Sequence, residues 1–201
     1  TTNEHVPILI TKASNFNTAC DTIDIVYGDM KYDESKTPKY TFERYKVTYS
    51  CERSKLPDKS APPLPGNKFP PINAFAVYKT KVIWDETGNN WKNPRTDGND
   101  ATYEKQLVAD YIEDLVFLPI DDEGKLINPP PTINNATKDK LYKIKTVDIA
   151  LSIRSTKKFY RSDKDRTKFT LNNPLRKKTR NDKYFRETIV VTAHARNMGT
   201  L

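Results

Sequence analysis

The chain has 201 residues, enough for one domain with a buried core. Hydrophobic residues make up 36% and charged residues 30%, which excludes a wholly disordered chain, and no run of about 18 apolar residues exists to span a membrane as a helix. Net charge is +8, all of it in one segment: residues 157–183 hold 11 Lys/Arg and 3 Asp/Glu, leaving the remainder neutral.

The opening residues, Thr1–Thr18, read as polar and irregular around a short apolar run at Val6–Ile10. No signal peptide opens the chain, and a start at Thr1 without Met suggests a processed or truncated product. Asp21–Gly28 then alternates, with Ile23, Ile25 and Tyr27 on one face, and predicts a first strand. Gly28–Asp29 and the stretch to Pro38 predict a turn. Tyr40–Cys51 predicts a second strand, with Tyr45, Val47, Tyr49 and Cys51 sharing a face. The two strands make a hairpin that could bring Cys20 near Cys51. These cysteines are either buried thiols or one disulfide of an exported protein; neither sits in a metal-binding pattern.

Six prolines between Pro57 and Pro71 predict a stiff surface loop, since proline cannot donate to a β-ladder. Ala74–Trp84 is strand-like, and Asp85–Asp100 is a Gly/Asn/Asp-rich loop. Asp100 is a candidate N-cap for a short helix over Ala101–Asp110, with Leu107 and Tyr111 at helical i, i+4 spacing. Tyr111–Leu118 turns strand-like and Pro119 limits it. Asp121–Asp122–Glu123–Gly124 could suggest calcium, but it lacks the spaced ligands of a calcium loop and reads as a turn. Residues 127–140 form another Pro/Asn-rich loop.

Leu141–Arg154 is a clean strand with Val147, Ile149, Leu151 and Ile153 on one face. The basic segment 157–183 follows as a long loop. In it Lys157, Lys158 and Arg161 form one cluster, and Arg176, Lys177, Lys178 and Arg180 another, with Phe159, Tyr160 and Phe169 interleaved. Bases and rings together are what a phosphate backbone with stacked nucleobases needs, so these seven residues are candidates for binding a polyanion such as DNA or an acidic polysaccharide. A solvated loop is the alternative. The closing strand, Tyr184–Asn197, puts Ile189, Val191, Ala193 and Ala195 on one face and predicts a half-buried partner for the strand before it.

No catalytic constellation is found: His5 lies in the irregular N-terminus, His194 is on the polar face of a strand as an ordinary exposed histidine, no Ser-His-Asp set has positional support, and no Walker loop, GxGxxG or HExxH occurs. No enzyme, cofactor or metal is expected. The fold expected is a single α+β domain over residues 1–201, a mostly antiparallel sheet of five or six strands with one or two short helices and long loops at 57–71, 85–100, 127–140 and 157–183.

Several segments, in order, resemble PilW-like minor pilins and PulJ-like minor pseudopilins of the type IV pilin-like group. They are Asp21–Tyr27, Tyr45–Cys51, Leu107–Phe117, Val147–Ser155 and the closing Phe185–Asn197 with its F-x-x-T … R-N pattern. The resemblance implies a pilin-like globular head lacking its N-terminal apolar helix, which would be its membrane anchor. It further implies a periplasmic or cell-surface location in a bacterium. It implies a structural role in assembly or at the tip of a type IV pilus or type II secretion-like filament, alongside other minor pilins or pseudopilins, in some cases with adhesion or DNA uptake.

Overall fold

A computed structural model describes residues 5–15, 20–94, 96, 101–134, 136–169 and 176–195. Ten strands and one short helix follow one another: β1 (Ile8–Thr11), β2 (Thr22–Tyr32), β3 (Tyr40–Arg53), β4 (Phe75–Asp85), β5 (Asn90–Trp91), β6 (Tyr103–Ile120), α1 (Lys138–Leu141), β7 (Thr146–Lys158), β8 (Lys164–Phe169), β9 (Lys177–Asp182) and β10 (Tyr184–His194). The main sheet runs β1-β2-β3-β4-β6-β7-β10 with β5 appended to β4, and every pairing is antiparallel. A separate hairpin pairs β8 with β9.

The α+β expectation is overturned. Strands take 57% of residues and helices 3%, with no helix of seven residues or more among the described residues, so the fold is essentially an all-β half-barrel. The expected helix over Ala101–Asp110 is the first half of β6, and its proposed cap Asp100 lies outside the described residues. The reason is in the register. Between β4 and β6 the pairing slips at three places, and Lys105 and Tyr111 take positive φ of 50° and 61°. Each slip gives β6 one more residue than β4, which is the signature of a β-bulge. Inserted residues break the period-two pattern and leave Leu107 and Tyr111 at a spacing that reads as helical.

Other boundaries moved for similar reasons. The apolar run at Val6–Ile10 leads into β1 (Ile8–Thr11), whose Ile8 and Ile10 pair with Ile25 and Ile23. Gly28 is inside β2, opposite Arg44, rather than at a turn, and the Phe42 ring lies where a Cβ at that position would go. The turn falls at 33–39, where the Lys39 carbonyl accepts the Asp33 amide. Pro119 does not end the strand: it lies within β6 opposite Val147, and the pairing runs on to Ile120 opposite Thr146. The basic segment is not one loop, since it contains β8 and β9.

Bulges bend a sheet, and here the bent β6 serves two neighbours in turn. Its first half pairs with β4 up to Ile112, and its second half pairs with β7 from Ile112 onward. The edge of β6 left bare past Ile112 is met by the segment before β2. The Asp21 amide donates to the Leu115 carbonyl at 3.0 Å, and the Phe117 amide donates to the Asp21 carboxylate at 3.2 Å. This contact draws β2 across to β6 and curls the sheet. The core forms inside the curl from Ile8, Ile10, Ile23, Phe75, Ile112 and Phe117 with their neighbours.

Candidate functional site

Period-two alternation puts one row of apolar side chains from each strand on the concave face, because cross-strand partners share a face. On one side the row reads Ile8–Ile25–Val47, and on the other Phe117–Ile149–Val191 and Leu115–Leu151–Ile189. Ile8, Ile25, Leu115, Phe117, Ile149 and Leu151 of these rows line a trough of about 760 Å³, with Pro7 on one side and Ala193, His194 and Ala195 on the other, while Val47, Ile189 and Val191 share the face but lie outside it. No Asp, Glu, Lys or Arg lines it.

Cover thins from floor to rim. Leu115 and Phe117 are 3% exposed, Leu151 and Ile149 are half-buried, and Ile189 and Val191 are 47% and 56% exposed. The expectation that β10 is half-buried therefore fails. Alternation identifies residues that share a face, but nothing in the described chain lies over that face at the rim.

Charge is concentrated behind the trough. Arg176 forks between two fully buried carboxylates, donating to Asp114 at 2.9 Å and to Asp21. Lys12 adds a second cation on Asp21 at 2.8 Å. Burial pushes the Lys12 ammonium below its ordinary value, only partly offset by Asp21. Lys178 donates to the Glu113 carbonyl, and its burial likewise lowers it. Arg186 joins Glu113 at 3.0 Å to Asp182 at 2.6 Å. The β8–β9 hairpin is thereby fastened to the sheet.

The structure divides the residues singled out as polyanion candidates. Lys157, Lys158, Arg161 and Lys177 are exposed. Arg176 and Lys178 are 8% and 6% exposed and turned inward, and Arg180 is half-buried near Glu113 at 3.8 Å. Phe159 is 69% exposed and packs edge-on against Tyr160, while the Phe169 side chain, like Arg196 and Asn197, lies outside what is described. The acids that neutralise the buried bases come from 62 to 155 positions away, so no local motif announced them. Their one visible sign was acidic residues set inside apolar strand runs, at Asp21 and at Glu113–Asp114.

Cys20 and Cys51 form a disulfide with Cα atoms 5.7 Å apart, pinning the start of β2 to β3. The Asp121 carboxylate accepts the amides of Glu123 and Lys125 and shapes the turn there. Among the described residues, no group of three or more His, Cys, Asp or Glu is placed to hold a metal ion, and no helix is long and apolar enough to cross a membrane. The class these features define is an all-β half-barrel with an open, uncharged apolar trough. No known family, curated protein or solved structure matches the chain.

Proposed function

We propose that this chain is the globular part of a structural subunit, a minor pilin-like or pseudopilin-like protein, with an apolar helix seated in its trough. It would act in assembly or at the tip of a type IV pilus-like or type II secretion-like filament. The observation that carries the reading is the trough itself: about 760 Å³, lined without Asp, Glu, Lys or Arg and reaching the end of β10 at Ala193 and His194. A helix with side chains is about 10–12 Å across, so this volume takes about one to two turns. A cleft lined mostly by apolar side chains favours burial of apolar surface. The ordered resemblance of Asp21–Tyr27, Val147–Ser155 and Phe185–Asn197 to pilin-like proteins supports the filament role, and the disulfide supports an oxidising, exported setting.

The test is the native precursor sequence upstream of Thr1. A short basic leader, a Gly/Ala–Phe junction, a glutamate and about twenty apolar residues are expected. An ordinary signal peptide, or none, would overturn the reading. A second reading rests on exposed Phe159 among exposed Lys157, Lys158 and Arg161, a small surface suited to DNA or another polyanion. Affinity that stays flat between low and moderate salt would remove it.

A further inference from the structure

β10 is an edge strand, and its edge is unguarded. Natural edge strands are usually short, charged, bulged or broken by proline. From Thr188 to Ala193, β10 carries no charge and no proline, and its register against β7 runs unbroken from Arg186 to His194. Ile189, Val190 and Val191 are 47%, 50% and 56% exposed in sequence. Among the described residues no strand pairs with the outer edge.

The groups on that edge can be assigned. The Ala195 amide donates to the Lys145 carbonyl at 2.9 Å, which makes that pair a hydrogen-bonded one. Bonded and non-bonded pairs alternate in an antiparallel ladder. Ala193, Val191 and Ile189 therefore bond to β7, and Thr188, Val190 and Thr192 turn their amides and carbonyls outward. The 2.7 Å contact between the Ser152 and Thr188 hydroxyls agrees, because side chains approach closest at non-bonded pairs.

The edge is also complementary to itself. Read in both directions from Val190, the strand gives Ile189 against Val191, Thr188 against Thr192, Glu187 against Ala193 and Arg186 against His194. From Glu187 to Ala193 no like charges oppose, and Arg186 stands across from the His194 imidazole at each end of the paired stretch. We propose that β10 pairs with β10 of a second copy, antiparallel about a two-fold axis at Val190, joining two half-barrels into one continuous sheet. In that register each outward amide of Thr188, Val190 and Thr192 finds an outward carbonyl. Pairing about such an axis keeps both troughs open to the same side, so it is independent of what fills them. A single strand edge covers less than the roughly 800 Å² per partner of a standard interface, so the dimer is concentration-dependent rather than permanent.

Sedimentation of the whole chain from about 5 µM to about 500 µM tests this, a range chosen for an interface below standard size. Mass is expected to rise toward twice the monomer. V190K puts two like charges opposite each other at the axis and should weaken association about tenfold, with circular dichroism confirming that the sheet is kept. V190C supplies the register. Val190 meets its own copy at about 5.5 Å between Cα atoms, within disulfide reach. T188C stands about 14 Å from its own copy, four residues along the strand and one strand across. Oxidised V190C should be a covalent dimer and T188C should not. A monomer across the range, a dimer indifferent to V190K, or equal cross-linking of the two cysteine variants would each overturn the proposal.

Discussion

Replacing Arg176 by Met should be the most costly single change to the hairpin's attachment. The side chain keeps its length and loses its charge. Asp21 retains Lys12 and the amides of Ala13 and Phe117. Asp114, fully buried, loses its Arg176 partner on Oδ1, and its Oδ2 has no hydrogen-bond partner to compensate. Breaking a buried ion pair by removing one member costs about 3–5 kcal/mol. Protonation limits that penalty, since neutralising an orphaned carboxyl costs about 1.36 kcal/mol per pH unit above the ordinary carboxylate value near 3.9. The ceiling is then about 4 kcal/mol at pH 7 and about 1.5 kcal/mol at pH 5. Urea unfolding of R176M and the parent at both pH values measures the difference. The penalty should shrink on acidification, and adding D114N to R176M should recover at least half of it at pH 7. A loss below about 1 kcal/mol at pH 7, the range of exposed pairs, or one that ignores pH, would refute a buried clasp at Arg176.

Three other outcomes follow from the same structure. Removing the disulfide as C20A/C51A frees a loop with 31 positions between its ends and should cost about 3–4 kcal/mol by loop entropy, read by denaturation under non-reducing conditions. Ile112, 1% exposed where β6 passes from β4 to β7, should lose about 2–5 kcal/mol on I112A, whereas L107A at 55% exposure should cost under about 0.5; comparable losses would place Leu107 in the core and contradict the bulged strand. Burial raises the Asp182 carboxyl, but Arg186 and the Tyr184 amide outweigh it and hold the group below its ordinary 3.8. That contribution is present above pH 3.8 and lost as pH falls through the lower folded value, so D182N should flatten the acid limb of the stability curve; an unchanged limb would mean the Arg186 contact does not form.

What could be read from the sequence depended on how regular each strand is. β7 and the closing strand alternate regularly, and their antiparallel pairing, unbroken from Arg186 to His194, follows from that pattern. The β2–β3 hairpin and its cysteine pair were legible because short-range turn chemistry brings Cys20 and Cys51 together. β6 was not, since Lys105 and Tyr111 reach positive φ without a glycine to signal it, and the slips they accompany scramble the period. The rows of the trough were visible strand by strand. Their closure into a half-barrel was not, because it hangs on Asp21 reaching Phe117 across 96 positions. The exposure of Ile189 and Val191 was beyond any periodicity, which assigns a face without saying what covers it.

Charge shows the same gap between a segment and a fold, with a consequence for the polyanion reading. Taken as a stretch of sequence, residues 157–183 carry the whole +8 excess. In the folded chain Arg176 and Lys178 are spent on Asp21, Asp114 and the Glu113 carbonyl, and Arg180 faces Glu113. Of the seven basic residues first singled out, four remain exposed: Lys157, Lys158, Arg161 and Lys177. Each phosphate neutralised adds about −0.7 for single strands or −0.9 for duplex to the slope of log affinity against log salt. If those four alone make contact, the slope should lie near −3 to −3.5 and fall to near −1 when Lys157, Lys158 and Arg161 are replaced by Gln. R176Q should leave the slope unchanged in protein that is still folded. Fluorescence titration of a labelled oligonucleotide at several salt concentrations gives these values. A slope of about −6 or steeper, or one reduced by R176Q, would mean that the hairpin lets go of the sheet and turns its buried bases to the ligand.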